Sequence, residues 1–536
     1  MNRSTVDRRT IQSRRWYVLS VLVVGLLVIV LDNTVLNIAV KTIAEPRGGL
    51  GATQSQLEWA INSYTLVFAG LLFTFGVIGD RIGRKRMLVI GLLLFGLASL
   101  LSAYAQSPDQ LIFARAAMGL GGAAVMPQTL SIIANVFEPR ERGRAIGIWS
   151  IAVGIGIAIG PVLGGLLLDH FWWGSVFLIN VPIVTLGAAA ALLIVPESRN
   201  PEPGKVDVIG VLLSIAGLVL VVYGIIQGGD KGSWLAWHVV GPLAVGIAVL
   251  ALFAWHETRF SHPSLDVRLF RDPRLSASVG AIALLFFGMA GVFFFTSFYL
   301  QNVRGYSPLH TGLLMVPFAV GQLLTSPRSA ALVRTFGAKA VCVTGMLVMA
   351  AALAGYGFLG TDTPIWVLEA LLLAQGAAMG SVMPPATTAV MEVLPRERAG
   401  AGSALTNTAR QVAVALGVAV LGSVIASVYR GQLEPHLSGV PSAARDAATA
   451  SIAGTQAVAH QLGPAGRHLL APANAAFVQG MHVASAISAA IAFVGAVVVL
   501  IWMPGLRFLG RGRSQAQVRQ TPAEPKPSSA WPAGRA

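Results

Sequence analysis

The 536-residue sequence is poor in charge and almost without cysteine. Only 11% of its residues are charged, against about 25% in an average soluble protein, whereas 55% are hydrophobic. The single cysteine, Cys342, excludes an internal disulfide and a cysteine-ligated metal cluster. The sequence also lacks the P-loop, G-x-S-x-G and H-E-x-x-H patterns. We therefore expect no ATP hydrolysis, no enzymatic activity, no metal and no cofactor.

Long apolar runs predict an all-α polytopic membrane protein. Runs near 20 residues recur along the whole chain, and each is long enough to cross a bilayer as a helix. The first run follows a basic leader without a small-residue cleavage site, so we interpret it as a retained helix. Fourteen spans are predicted, at 16–40, 57–79, 87–105, 111–136, 145–168, 173–195, 207–227, 237–256, 275–299, 310–332, 340–360, 365–390, 400–427 and 479–502.

Lysine and arginine are distributed unevenly between the predicted loops. If the N-terminus is inside, the inside segments carry 28 of them and the outside loops carry 7. The remaining three, Arg115, Arg328 and Arg410, fall within spans. This asymmetry predicts a multi-pass protein of a bacterial cytoplasmic membrane with both termini in the cytoplasm. It also explains the net charge of +15 without a nucleic-acid partner.

The two halves of the chain repeat each other. The stretch 139-PRERGRA-145 matches 395-PRERAGA-401, and 119-GLGGAAVMP-127 matches 376-GAAMGSVMP-384. Such a parallel duplication is expected of transporters built from two six-helix bundles. The predicted organisation is a basic tail (1–15), an N-terminal bundle (16–195), linkers with two inserted helices (196–274), a C-terminal bundle (275–503) with a long external loop (428–478), and a disordered cytoplasmic tail (504–536).

Polar residues interrupt two of the apolar spans. The stretch 29-IVLDNTVLNIAV-40 places Asp32, Asn33 and Asn37 in span 1, where a carboxylate costs about 2.5–3.5 kcal/mol on insertion scales. From the same side of the membrane, Asp32 is roughly 12 Å deep and Arg115 of span 4 roughly 8 Å deep, at 1.5 Å per residue. An arginine side chain can bridge that difference if the two spans are neighbours. Arg115 could instead snorkel outward, and Asp32 could be tied only to Asn33 and Asn37.

Two further stretches contain glycines at positions where helices are expected to approach each other closely. In 76-GVIGDRIGRKR-86, glycines allow helix ends to approach closely, and Asp80 can pair with Arg81, Arg84 or a neighbouring helix end. The basic run could also be a simple cytoplasmic anchor. In 154-GIGIAIGPVLGG-165, Gly156, Gly160 and Gly164 lie four residues apart on one helix face, which predicts close helix packing.

Together these stretches resemble the signatures of the major facilitator superfamily, in its branch of fourteen-span drug–proton antiporters. The resemblance implies a conformational latch in the loop between spans 2 and 3, formed by Gly76, Asp80, Arg81, Gly83, Arg84 and Lys85. It implies an antiporter packing motif in span 5, formed by Gly156, Gly160, Pro161, Gly164 and Gly165. The sequence LDNTVLNIAV resembles the span-1 signature of the same branch.

The resemblance implies proton-coupled efflux of small amphipathic compounds such as drugs or antibiotics. Asp32 is then expected to carry the proton and Arg115 to tune it, although the two could form a purely structural pair. The candidate substrate cavity comprises Asn33, Asn37, Tyr64, Phe294 and Gln375. The expected partners are the substrate, protons and the lipid bilayer, and we expect a monomer. The alternatives are a narrow exporter of one endogenous metabolite or lipid precursor, and a sensor that has lost transport.

Overall fold

The computed structural model describes residues 3–199, 206–231, 233–260, 267–393, 399–438 and 440–503. Within these ranges, thirteen helical segments are long and apolar enough to cross a membrane, and the shorter apolar segment Ile159–His170 completes a fourteenth helix. The all-α polytopic fold class is thus confirmed. The predictions for residues 1–2 of the basic tail, for parts of the two linkers (200–205 and 261–266), for the repeat at 395–398 and for the tail 504–536 lie outside the described residues.

The helices follow the predicted spans closely. Spans 1 to 6 are Arg3–Ala44, Gln54–Ile82, Arg84–Ala103, Pro108–Val136, Pro139–His170 and Asn180–Ile194. Spans 7 and 8 are Val208–Lys231 and Trp237–Arg259. Spans 9 to 14 are Pro273–Phe298, Val316–Phe336 with a preceding short helix Pro308–Leu314, Ala338–Gly355, Ile365–Val393, Ala399–Leu433 and Leu470–Trp502.

Most of the segment 428–478, which the sequence predicts as a long external loop, is helical in the residues that the structure describes. Span 13 continues to Leu433, span 14 already begins at Leu470, and two short helices, Ser442–Ala450 and Ile452–Gln461, lie between them. Alanine is the strongest helix former, so an Ala-rich segment folds readily once it has an apolar surface to cover. The hydroxyls of Tyr429 and Thr455, which lie 2.5 Å apart, fasten the segment to span 13.

The inserted pair lies along the seam between the two bundles. Spans 7 and 8 pack closely, since a methyl group added at Gly217 would lie 2.8 Å from the Leu250 side chain. Span 7 also contacts spans 2 and 13 through a separate apolar cluster, formed by Leu66, Val222, Ile226, Ala415 and Ala419. Span 7 therefore touches both bundles at once.

Polar contacts join the two bundles at one end of the molecule. We call this the Asp169 end, and the opposite end, which carries residues 76–86, the Asp80 end. At the Asp169 end the Ser307 hydroxyl donates to Asp169 at 3.1 Å, and Lys41 Nζ donates to the Gln301 carbonyl at 3.1 Å. The Gln301 amide donates to the Ile38 carbonyl at 2.9 Å. The structure is therefore closed at the Asp169 end.

Candidate functional site

A buried ion pair lies at the centre of the first bundle. Arg115 Nη1 donates to Asp32 Oδ2, and both side chains are 1% exposed. Arg115 Nε also donates to the Ala60 carbonyl of span 2 at 3.2 Å. Spans 1 and 4 are thus neighbours, which is the condition under which the depths of the two residues allow them to pair. Arg115 does not snorkel to the surface, because its guanidinium is enclosed by spans 1, 2 and 4.

The second oxygen of Asp32 is held from span 6, which the sequence analysis did not foresee. Asn180 Nδ2 donates to Asp32 Oδ1 at 3.2 Å and to the Ser99 hydroxyl oxygen at 3.1 Å. Ser99 Oγ in turn donates to the Phe177 carbonyl at 2.8 Å. An amide within the apolar run of span 6 was the available signal, since buried polar groups in a membrane need partners. Spans 1, 4 and 6 therefore meet at one carboxylate, and spans 2 and 3 are joined to it through Arg115 and Asn180.

Tyr64 joins the ion pair to the other polar residues of span 1. The Arg115 guanidinium lies 4.5 Å above the centre of the Tyr64 ring, a cation–π contact. Asn33 Nδ2 donates to the Tyr64 hydroxyl at 3.2 Å and to the Ile29 carbonyl at 2.7 Å. Asn37 Nδ2 donates to the Asn33 carbonyl at 3.2 Å. Asn33 and Asn37 therefore have partners other than the Asp32 carboxylate.

The predicted cavity residues fall into two groups, one in each bundle. Asn33, Asn37 and Tyr64 lie in the first, where the two asparagines are partly exposed and Tyr64 is fully buried. Gln375 and Phe294 lie in the second, and both are fully buried. The Gln375 amide donates to the Tyr356 hydroxyl at 3.0 Å, and Phe294 packs edge-on against Phe298. Among the hydrogen bonds and ring contacts of the described residues, none joins the two groups.

The loop between spans 2 and 3 fastens several helices of the first bundle. Asp80 Oδ1 accepts from Arg84 Nε at 2.7 Å, and Arg84 Nη1 donates to the Ser131 carbonyl of span 4 at 3.4 Å. Lys85 Nζ donates to the Leu192 carbonyl of span 6 at 2.6 Å. Among the pairings considered for Asp80, the structure thus forms the one with Arg84. This loop holds the Asp80 end of the bundle together.

One glycine of this loop, Gly83, is required by backbone geometry. Gly83 has a φ of 119°, which L side chains rarely adopt, and it separates spans 2 and 3 without any further linker. A methyl group there would also lie 2.6 Å from the Glu197 carboxylate. Gly76 faces Pro127 of span 4, whose Cβ would lie 3.6 Å from such a methyl group. Arg81 is exposed on the outside of the loop.

The glycine face of span 5 packs against both bundles. Methyl groups added at Gly156, Gly160 and Gly164 would meet Val30, Thr34 and Val35 of span 1. A methyl group at Gly165 would lie 2.5 Å from Leu309 Cα in the second bundle. Pro161 is also in close contact there, because its carbonyl faces Gly312. The motif therefore forms part of the closed Asp169 end.

Comparison with known proteins assigns this architecture to a family. The model of the Major Facilitator Superfamily matches residues 22–418. A solved structure of a bacterial homologue of the human lysosomal transporter Spinster, in an inward-facing and occupied conformation, superposes with a TM-score of 0.63 at 17% identity. That alignment covers 92% of this chain and 99% of the other.

Curated relatives of the chain are efflux proteins. The chain is 35% identical over 489 residues to the multidrug efflux pump LfrA of Mycolicibacterium smegmatis, covering 91% of this chain and 96% of LfrA. It is 32% identical over 499 residues to the tetracenomycin C resistance and export protein of Streptomyces glaucescens, covering 91% and 92% of the two chains. The chain therefore belongs to the major facilitator superfamily, as a multi-pass membrane protein of a bacterial efflux family.

Proposed function

We propose that this protein exports small amphipathic compounds, such as drugs or antibiotics, across the bacterial cytoplasmic membrane in exchange for protons. The observation that carries the proposal is the buried Asp32–Arg115 pair, in which the carboxylate joins spans 1, 4 and 6 and Arg115 also binds span 2. The names of the relatives support efflux, and the absence of a P-loop in the sequence supports an ion gradient as the energy source.

Asp32 has the chemistry of a coupling group because its surroundings favour both protonation states. Burial favours the neutral acid, whereas the Arg115 guanidinium and the Asn180 amide stabilise the anion. Protonation removes the charge that holds Arg115, and a guanidinium cannot neutralise itself by losing a proton. Arg115 then keeps the Ala60 carbonyl and the Tyr64 ring. A change in the protonation state of Asp32 therefore changes the contacts between these helices.

The direction of access follows from the loop charges. Because the basic loops are predicted to be cytoplasmic, the Asp80 end faces the cytoplasm and the closed Asp169 end faces outward. Transport requires the Gly165–Leu309 contact to open and the Asp80 loop to rearrange in the outward-open state. Proton and substrate favour opposite-facing states, so the binding of each drives the release of the other.

The proposal is tested with purified protein in proteoliposomes under an imposed pH gradient. Wild-type protein is expected to concentrate a fluorescent amphipathic dye when the compartment that receives the dye is acidic. Asp32→Asn is expected to abolish this uphill transport while dye exchange at equal pH on both sides survives. Equilibrium exchange needs substrate movement alone, so the difference isolates proton coupling.

Asp207→Asn is the matched control. Asp207 is also a buried acid beside a basic side chain, since it lies 3.0 Å from His256, but it belongs to the inserted pair. Asparagine retains the oxygen that accepts from the Gly210 N–H at the start of span 7. Its uphill transport should resemble that of the wild type. If Asp32→Asn still concentrates dye with normal pH dependence, Asp32 is not the coupling residue.

A narrow exporter is the second candidate function. The relatives include proteins named for one compound, among them the tetracenomycin C resistance and export protein and a puromycin resistance protein. A resistance profile in a pump-deficient bacterium separates the two candidates. Protection against several unrelated amphipathic compounds supports a multidrug pump, whereas protection against one chemical series supports the narrow exporter.

A further inference from the structure

Arg410 of span 13 is a cation without an anionic partner inside the protein. It lies roughly 16 Å along the helix from Ala399, at 1.5 Å per residue, so it belongs to the membrane interior. Its guanidinium lies 5.5 Å from the centre of the Phe286 ring of span 9. In the part of the chain that the structure describes, no carboxylate and no hydrogen-bond acceptor meets it.

The other two arginines within spans show how unusual this is. Arg115 is paired with Asp32 and is 1% exposed. Arg328 is exposed on span 10, where it donates to the Leu324 carbonyl of its own helix. Arg410 is partly buried and contacts the Phe286 ring instead of an anion. Span 13 packs against Leu66 of the first bundle through Ala415 and Ala419, so Arg410 lies on a helix at the seam between the two bundles.

The charges around this seam leave a net positive centre. The Asp32 carboxylate is already engaged by Arg115 and Asn180, so it offers no free oxygen to Arg410. Glu58, a buried acid of span 2, lies about 9 Å along the helix from Tyr64 at 1.5 Å per residue. It accepts from Gln54 at 3.4 Å, toward the Asp169 end. An unpaired guanidinium within a membrane protein is costly and marks a functional pathway.

We infer that Arg410 binds the acidic group of the exported compound, a carboxylate or an ionised phenol on an amphipathic aromatic molecule. This inference rests on the proposed export function and names the substrate class. A guanidinium presents a planar fork of donors that matches a carboxylate in two parallel hydrogen bonds. The cation–π contact with Phe286 covers one face of the guanidinium and leaves its edges available to the ligand.

The test compares two dyes that differ only in charge at one group. Rhodamine 110 carries a free carboxylic acid, and rhodamine 123 is its methyl ester. Binding of each to purified full-length protein in nanodiscs is measured by fluorescence anisotropy, without any proton gradient. The wild type is expected to bind the acid at least about tenfold more tightly than the ester, because the ester loses one charge-assisted contact. Each factor of ten in affinity corresponds to about 1.4 kcal/mol of binding free energy. A wild-type ratio below about threefold overturns the inference.

Variants then assign the preference to Arg410. Arg410→Gln should reduce the acid-to-ester ratio to about one, and Arg410→Lys should leave an intermediate ratio because an ammonium lacks the planar fork. Arg328→Gln, on the exposed side of span 10, is the matched control and should keep the wild-type ratio. If Arg410→Gln does not fold, the acid-to-ester affinity ratio of Arg410→Lys alone tests the inference. A wild-type ratio in a folded variant of Arg410 contradicts the inference.

The same assay separates a soluble acid from a lipid headgroup. Exchanging phosphatidylcholine for phosphatidylglycerol in the nanodisc should leave the acid dye's affinity for the wild type unchanged. A loss of that affinity in the wild type alone would identify the lipid phosphate as the occupant and overturn the assignment to an aromatic acid. The binding assay requires no pH gradient. If the wild type shows no preference for the acid dye but still transports dye when a pH gradient is imposed, the inference about Arg410 is wrong and the proposed function is unaffected. The acid preference equally survives a failure of proton coupling.

Discussion

The Asp32–Arg115 pair should show strong energetic coupling in a double-mutant cycle. Both side chains are 1% exposed, so removing one partner leaves the other charge buried, which typically costs about 3–5 kcal/mol. We expect Asp32→Asn to destabilise the protein by about this amount, because Arg115 cannot neutralise itself. Arg115→Met should cost less, because an unpaired carboxyl can take up a proton. The double variant should be less destabilised than the sum of the singles by about 2–3 kcal/mol.

The assay is the equilibrium unfolding free energy of purified protein in mixed micelles containing dodecyl sulfate. The Asp80–Arg84 pair is the control, because it has similar geometry at 2.7 Å but side chains that are 26% and 18% exposed. A partly exposed pair of this kind should show coupling below about 1 kcal/mol. Additive effects of Asp32→Asn and Arg115→Met would refute the reasoning, since they would mean that neither charge depends on the other.

Three further predictions address the closed end, the latch and the topology. Gly165→Val should slow transport about tenfold or more, because its side chain would collide with Leu309 and hold the bundles apart, whereas normal rates in vesicles would show that the contact tolerates expansion. Asp80→Asn should cost less than about 1 kcal/mol of stability and yet impair transport, since its pair with Arg84 is proposed to break in each cycle; full activity would reduce the loop to an anchor. Asp446→Cys, at an exposed position, should react with an impermeant maleimide added to intact cells, and labelling confined to inverted vesicles would contradict the topology.

The features predicted best from the sequence are those set by local spacing. Glycines four residues apart must share a helix face, so Gly156, Gly160 and Gly164 were expected to pack against another helix, and they meet span 1. The sequence did not indicate that Gly165 contacts the other bundle, because that depends on how the two bundles meet. The helices within residues 428–478 are not evident in the sequence for a related reason: a polar, Ala-rich segment resembles a loop until a neighbouring surface buries one side of it.

The partners of buried polar residues were predicted only where depth in the membrane restricted the choice. Asp32 and Arg115 lie at similar depths from the same side, so the sequence allows their pairing if spans 1 and 4 are neighbours, and the structure forms that pair. Asn180 has no such constraint, because nothing local links span 6 to span 1. The sequence likewise does not predict that Phe294 and Gln375 are fully buried. An aromatic run predicts apolar contacts, but it does not predict how exposed each side chain is.

Arg410, which is partly buried, is another polar residue whose partners the sequence does not predict. Its place within a span is evident in the sequence, but whether a charge is paired is a property of the whole fold. Only the structure shows that the buried Asp32 carboxylate is already engaged by Arg115 and Asn180. That engagement makes the two functions separable: Asp32 is occupied with the residues that would sense the proton, and Arg410 remains available to a ligand. A transporter arranged in this way can exchange a proton and an acidic substrate without both competing for the same side chain.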